Sequence, residues 1–305
     1  MDKIPLIDVS LLKNSNKDIR NNTIKDLYNA FSSIGFVSLT GTDIKPDIVN
    51  NMRSTVIQIF DVDDYTKNNE MITRNNYRGY IPLDFFTPNG TEYKADHYEG
   101  YKLHTEVSVD NPLCKQCSLL GPNIWPSKVP DAKENILKYW KKMDELSLIL
   151  LTSLQESLEL PKDALINLFK YPSLTNMTLL HYPIQKTNDD AYGFHPHKDT
   201  DALTIIASDP TNALQVQTLD GNWISPQISE NSFIANIGDM LDFHAISMHQ
   251  HDPDLYSPGH ELKASRKFVY ELSVYICLNG NCIASTSESF VLMFEQPVTM
   301  ITRFR

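Results

Sequence analysis

The pattern after residue 174 constrains the fold most. Five short segments rich in Leu, Ile, Val and Thr follow one another there: 177–182, 202–207, 214–218, 233–236 and 268–278. Turn residues separate them. Parallel βαβ units need a crossover helix between strands, so this spacing predicts an antiparallel barrel or jelly roll. The chain before residue 174 reads differently. Residues 4–9 suit a short strand, and Ile24, Leu27, Ala30 and Phe31 recur at helical spacing over 16–33. Gly35 ends that helix and residues 36–39 alternate as a strand does. A second helix over 47–60 carries Ile48, Met52, Val56 and Ile59 on one face. The longest helix runs over 131–158, with Ile136, Trp140, Met143, Leu146 and Leu150 as its core stripe, and a short helix over 162–169 follows Pro161. Residues 75–130 are rich in Gly, Pro, Asn and Tyr and read as loop. The class is therefore α+β, a helical N-terminal half wrapped around a C-terminal β core.

Composition narrows the function. Against 38 acidic residues stand 27 Lys and Arg, a net charge of −11, which disfavours a nucleic-acid partner. No apolar run is long enough to span a membrane, and Met1–Pro5 carries no secretory signal pattern, so the expectation is a cytoplasmic protein without a membrane partner. Cys114 and Cys117, and Cys277 and Cys282, are too few and too far apart for a disulfide scaffold; reduced thiols are expected rather than a zinc site. Histidine is the exception to an ordinary composition. Six of nine (His195, His197, His244, His249, His251 and His260) lie between positions 195 and 260. No coiled coil or long apolar edge is evident, so a monomer is expected.

Within that stretch His197 and Asp199 stand two apart, just before the apolar run Ala202 to Ile206. In an extended chain such residues point to one side. One further imidazole would complete a 2-His-1-carboxylate facial triad, which binds Fe(II) and leaves positions open for a cosubstrate and O2. The same tripeptide also suits a surface turn whose Asp caps a backbone group.

The segment from His197 to Ile206 resembles the HxDxxxLT motif of the 2-oxoglutarate- and Fe(II)-dependent dioxygenases, in particular the isopenicillin N synthase-like group. Other segments resemble that group in the same order: Ile4-Pro5-Leu6-Ile7-Asp8-Val9, Gly35-Phe36-Val37-Ser38-Leu39, Glu99-Gly100-Tyr101, and Gly121-Pro122-Asn123-Ile124-Trp125-Pro126. Leu180-His181-Tyr182-Pro183, the run Leu214 to Gln217, Asp220-Gly221-Asn222-Trp223, and Asn236-Ile237-Gly238-Asp239-Met240-Leu241 complete the set. The resemblance spans residues 4–241. It implies a double-stranded β-helix (jelly roll) core with flanking N-terminal helices. Residues 1–120 would form an N-terminal helical and strand region and 121–305 the β-helix core with its long supporting helix, the two as one cooperative unit.

The resemblance also implies a site. Fe(II) would be held by His197, Asp199 and a distal histidine. The best match for the last is His249 in Ser247-Met248-His249, with His251 second and His244 and His260 behind it. The family's Arg-x-Ser pair, which anchors 2-oxoglutarate, has its candidate in Arg266, although no serine stands at 268. Counting back from Leu278 places Glu271 and Ser273 at those positions instead, and Arg303 or Arg305 could supply the charge if the C-terminus folds back. Tyr182 matches a position that bonds the cosubstrate. His195 reads as an entrance or supporting residue, His181 as facing the other side of the sheet, and Asp239 as a turn residue. Residues 77–101 would wall the substrate, with Arg74, Arg78, Tyr80 and Tyr93 as contacts. The implied activity is Fe(II)- and 2-oxoglutarate-dependent hydroxylation or desaturation of a small molecule, with O2 as oxidant and ascorbate as supporting reductant. The departures around the distal histidine and Arg266 keep two alternatives open: an Fe(II) oxidase of the same fold without 2-oxoglutarate, and a binding protein with a degenerate metal site.

Overall fold

A computed structural model gives the three-dimensional structure. It describes residues 3–73, 76–87, 94–115, 117, 119–169, 173–183, 192–199, 201–207, 214–218 and 220–241, and the backbone of 272–278 and 299–303. Among the described residues four α-helices lie on one side. Helix α1 (Lys17–Ser33) starts where the Asn16 side chain accepts hydrogen bonds from the Asp18 and Ile19 N–H groups. It stops where Gly35 takes φ +74°, a left-handed conformation that glycine adopts without the cost of a Cβ. Helix α2 (Pro46–Phe60) opens with proline at its first turn and buries Val49, Met52, Val56 and Ile59. Helix α3 (Asp64–Asn69) is short. Helix α4 (Ala132–Ser157) buries a stripe from Ile136 through Met143, Leu146 and Leu150 to Leu154 and packs on α1 and α2.

Among the described residues twelve strands form two sheets. The strands are β1 (Leu6–Asp8), β2 (Phe36–Thr40), β3 (Gly79–Ile81), β4 (Glu99–His104), β5 (Asn176–His181), β6 (Tyr192–His197), β7 (Leu203–Ala207), β8 (Leu214–Gln217), β9 (Trp223–Ile224), β10 (Phe233–Ile237), β11 (Leu272–Leu278) and β12 (Thr299–Arg303). The large sheet runs β1-β2-β10-β7-β11-β5-β4-β3 and the small one β6-β12-β8-β9. Strict alternation sorts the large sheet's side chains. Val37, Leu39, Tyr101, Leu103, Met177, Leu179, Ile205 and Ala235 pack toward the helices. Phe36, Ile81, Leu180, Ile206 and Ile234 face the small sheet, where they meet Phe194, Leu214 and Val216. Two sheets enclosing an apolar interior, with helices on one outer face, form the jelly-roll core expected from the strand spacing.

Several details differ from the sequence reading. Residues 162–169 do not form a helix; only Ile166–Phe169 make a 3₁₀ turn. Asp163 at φ +62° breaks the helical path, and the Leu165 N–H bonds to the Gln155 side chain instead of to a preceding carbonyl. The loop-rich region contains β3 and β4, which join the edge of the large sheet. Strand β6 contains Pro196, which the edge of the small sheet tolerates because no ladder donor is needed there. The large sheet is mixed rather than antiparallel: β1 runs parallel to β2, and β11 parallel to both its neighbours. Thirty residues precede β11 after Leu241, ample for the crossover that parallel pairing needs.

Candidate metal and substrate site

The N-terminal half of the site is built where β6 ends and β7 begins. His197, the last residue of β6, directs Nε2 to within 3.5 Å of Asp199 Oδ1. Both side chains are largely shielded, at 13% and 2% exposure. The remaining polar atoms of the pair are held by neighbours. His197 Nδ1 lies 2.7 Å from the His195 carbonyl, and because a carbonyl only accepts, Nδ1 donates and Nε2 is the nitrogen turned toward Asp199. Asp199 Oδ2 accepts from Thr204 Oγ1 at 2.7 Å and from Asn236 Nδ2 at 2.8 Å. One imidazole nitrogen and one carboxylate oxygen thus converge with their orientations set from behind. That donor pair suits a divalent transition metal, and the arrangement of supporting hydrogen bonds is the kind that orients metal ligands.

The backbone also shapes this corner. The Asp239 N–H bonds to the Asp199 carbonyl at 2.9 Å, and the Gly238 N–H to the Ala202 carbonyl at 3.1 Å. A Cβ on Gly238 would stand 2.1 Å from the Asp201 carbonyl oxygen and 2.8 Å from that of Asp199. Only glycine permits this approach. Asp239 is exposed at the start of a 3₁₀ turn, Asp239–Leu241, and it is its backbone N–H that meets the Asp199 carbonyl.

His195 does not join the pair through its Nδ1. Asp96 Oδ1 takes both the His195 N–H at 2.8 Å and His195 Nδ1 at 2.6 Å. Burial raises the Asp96 carboxyl above the ordinary range, opposed by its bonds to His195. Asp96 therefore locks the strand whose next imidazole is His197. Aromatic rings line the interior beside it. Phe194 lies 4.5 Å from the His197 ring, Tyr98 stacks on Phe194 at 5.1 Å, and Tyr182 stands 6.0 Å from Tyr98. Tyr182 is fully buried and belongs to this apolar interior, on the same side of the sheet as the His197 corner.

The other expected residues divide into two groups. Tyr80 lies on the helix-facing side and donates to Glu99 Oε2 at 2.6 Å, so it does not wall the barrel interior; side-chain alternation along β3 sends it the other way. Glu99 also binds Lys67 Nζ at 3.1 Å and His181 Nδ1 at 2.7 Å, which places His181 on that outer face, half-buried. Arg78 is buried, bonding the Leu119 carbonyl and Asn76 Oδ1 rather than reaching out of a loop. Cys114 and Cys117 are free thiols. Arg74, Tyr93, His244, His249, His251, His260, Arg266, Glu271, Cys282 and Arg305 lie outside the described residues, and Ser273, Cys277 and Arg303 are described as backbone alone. Among the described residues no three His, Cys, Asp or Glu side chains gather as a metal site. No sequence pattern assigns a supporting role to Asp96, Thr204 or Asn236. Thr204 stood in the visible LT pair, whereas Asp96 and Asn236 reach the corner from distant segments.

Comparison with known proteins matches residues 4–128 to the family model described as the non-haem dioxygenase in morphine synthesis N-terminal region, and residues 169–263 to the 2OG-Fe(II) oxygenase superfamily. A Dictyostelium discoideum protein described as a probable iron/ascorbate oxidoreductase is 28% identical over 269 residues, covering 79% of this chain and 73% of that one. A 2-oxoglutarate-dependent dioxygenase of Monascus ruber is 26% identical over 254 residues, covering 78% and 75%. Among solved structures, a Neurospora crassa protein crystallised with α-ketoglutarate and thymine superposes with a TM-score of 0.67 at 22% identity, covering 78% of this chain and 74% of that one. At that identity the likeness speaks for the fold.

Proposed function

Because the chain belongs to the 2-oxoglutarate–Fe(II) oxygenase superfamily, we propose that its oxidation chemistry is sited at His197 and Asp199, with His249 as third ligand. The protein is an oxidoreductase that uses Fe(II) and 2-oxoglutarate on a small molecule, and this reading is supported over a 2-oxoglutarate-independent oxidase or a binding protein. The observation that carries the assignment is the approach of His197 Nε2 to Asp199 Oδ1, each held by neighbours through its other polar atom.

Iron bound there supplies the redox chemistry, coupling reduction of O2 and decarboxylation of 2-oxoglutarate to oxidation of a C–H bond. The chain's own residues do the rest. The His195 carbonyl fixes the His197 ring through Nδ1, and Asp96 fixes His195. Thr204 and Asn236 both donate to Asp199 Oδ2, which holds the carboxylate in one orientation and keeps that buried oxygen hydrogen-bonded. Phe194, Tyr98 and Tyr182 keep the neighbouring space dry. Tyr182 and Arg266 are the proposed cosubstrate contacts, and hydroxylation or desaturation the proposed outcome. No helix among the described residues is long and apolar enough to cross a membrane. We further propose a cytoplasmic monomer with no nucleic-acid partner, in keeping with the net charge of −11.

The test is direct. Purified protein with Fe(II), ascorbate and 2-oxoglutarate is followed for succinate formation and O2 uptake beside His197→Ala. Succinate from the wild type alone supports the assignment. Absence of stoichiometric iron binding removes it.

A further inference from the structure

The Cys-x-x-Cys pair at Cys114 and Cys117 has no part in the chemistry at His197 and Asp199. Cys114 lies in a 3₁₀ turn, Pro112–Lys115, and its N–H bonds to the Asn111 carbonyl at 3.0 Å. The Cys117 N–H bonds to the Leu113 carbonyl, also at 3.0 Å, so the two cysteines stand three apart on one helical turn. Side chains at that spacing share a face, with Cβ atoms about 5–6 Å apart. A disulfide needs about 3.5–4.5 Å, so closure asks for a shift of about 1–2 Å in this turn. Both thiols are free and both residues are partly exposed, which leaves them open to a small oxidant.

A buried cation distinguishes this pair. Arg78, just before β3, is 1% exposed. Its guanidinium reaches into the cysteine turn, donating from one Nη to the Leu119 carbonyl and from the other to Asn76 Oδ1 at 3.3 Å. Its Nε has no hydrogen-bond partner among the described residues. No carboxylate there forms an ion pair with it. Glu106, the one acid whose charge acts on it, is engaged by Lys133 at 3.5 Å and by Trp125 Nε1 at 2.8 Å. A buried guanidinium without a counter-charge is costly. Burial lowers the Arg78 pKa, opposed in order by Cys114, Cys117 and Glu106. The two sulfur atoms are thus the groups best placed to supply the missing negative charge. A partly exposed cysteine beside a cation has the surroundings of a reactive thiol.

We propose that Cys114 and Cys117 form a reversible dithiol–disulfide couple oxidised by hydrogen peroxide, with Arg78 holding the attacking sulfur as its thiolate. The inference lies outside the oxygenase reaction and does not rest on it. The thiolate attacks one peroxide oxygen, the O–O bond breaks, and a sulfenic acid and one water result. The second sulfur displaces the sulfenic hydroxyl, which leaves as a second water with that sulfur's proton. Two thiols lose two electrons and two protons, and one peroxide becomes two waters. A dithiol reductant reverses the step. The closed turn acts on the barrel through Arg78, because Arg78 ties it to the start of β3 and the adjacent Tyr77 packs on the barrel-side cluster.

The reduced full chain is treated with hydrogen peroxide in the absence of iron, remaining thiols are alkylated, and tryptic peptides are identified by mass spectrometry. Trypsin cuts after Lys115, between the two cysteines, so the disulfide joins peptide 103–115 to peptide 116–128. Wild type should form this link and lose it to dithiothreitol. The link should form at least about fivefold faster in the folded chain than in urea, where the spacing is the same and Arg78 is no longer held beside it. Arg78→Gln should remove most of that difference, and Arg78→Lys, which keeps the charge, should retain part of it. If Arg78→Gln does not fold, Cys114→Ser and Cys117→Ser give the second reading. With its partner gone, the remaining cysteine should keep its sulfenic acid and take up dimedone, which the wild type should not. No link, a link that forms no faster in the folded chain, or an undiminished rate in folded Arg78→Gln overturns the proposal. So does equal dimedone uptake by wild type and single-cysteine variants. Stoichiometric Zn(II) binding that shields the pair from peroxide also overturns it, because the cysteines would then be metal ligands.

Discussion

The two faces of the large sheet are built from the same strands and obey opposite rules. Its helix side is almost wholly apolar in the centre, with Leu39, Ala235, Ile205, Leu179, Met177 and Leu103 in one layer against α1, α2 and α4. Its barrel side buries Asn236, Thr204, Asn176, Thr178, Lys102 and His104. Apolar burial favours folding, whereas each buried polar group costs free energy unless a partner meets it. The helix side therefore carries stability, whereas the barrel side carries polar groups, two of which, Thr204 and Asn236, bond Asp199.

Substitutions on the two faces should separate these roles. The largest effect belongs to the barrel side. Asp199→Ala removes half of the described donor pair, and iron affinity should fall by more than the roughly 10–100-fold expected for losing an outer partner. Iron titration of the purified variant checks this, with a melting temperature near the wild type's as the sign that the role is local. On the helix side the reverse is expected. Leu179→Ala should cost about 2–5 kcal/mol of stability in a denaturant titration while leaving the iron affinity of the folded fraction unchanged.

Third comes the support behind the carboxylate. Thr204→Val keeps the shape and removes the hydroxyl that bonds Asp199, and should weaken iron by about 10–100-fold. A Thr204→Val protein that binds iron like the wild type would show that Asn236 alone orients Asp199. The smallest effect concerns pH and lies on α4. Burial raises the Asp144 carboxyl to about 6, opposed by a bond from Trp140 and reinforced by Glu145. The folded state then holds this proton more tightly than the unfolded state. Its contribution is complete below the unfolded value near 4, and is lost as pH rises through about 6. Because the side chain is only partly shielded, up to about 2 kcal/mol should disappear across that window, and Asp144→Asn should remove the slope from melting measured between pH 4 and 7. The same melts test the proposed cooperativity of residues 1–120 with 121–305. Since β2 is hydrogen-bonded directly to β10, a single transition is expected.

Much of this architecture could be read in the chain before its structure. The stripes of α1, α2 and α4 follow from apolar spacing, and the position of Gly35 from its place after a helical run. His197 and Asp199 were legible because period-2 geometry puts them on one side within three residues. Asp96 was not, since it stands 99 positions before His195, in a segment without periodicity. Strand β4 was missed for a related reason. Glu99-Gly100-Tyr101-Lys102-Leu103-His104 alternates like a solvent-facing edge, yet all six residues are buried. A local pattern assumes that its polar face meets water, and here that face meets the interior of the barrel.

The helical stripes, the succession of short strands and the His-x-Asp element are written locally in the chain, because each depends on neighbours within a few residues. The folded chain alone sets which oxygen of Asp199 is held by Thr204 and Asn236, that Gly238 must lack a Cβ, and that Lys102 lies inside. Those outcomes depend on strands brought together by sheet register, and burial turns such meetings into large energies that no local pattern encodes.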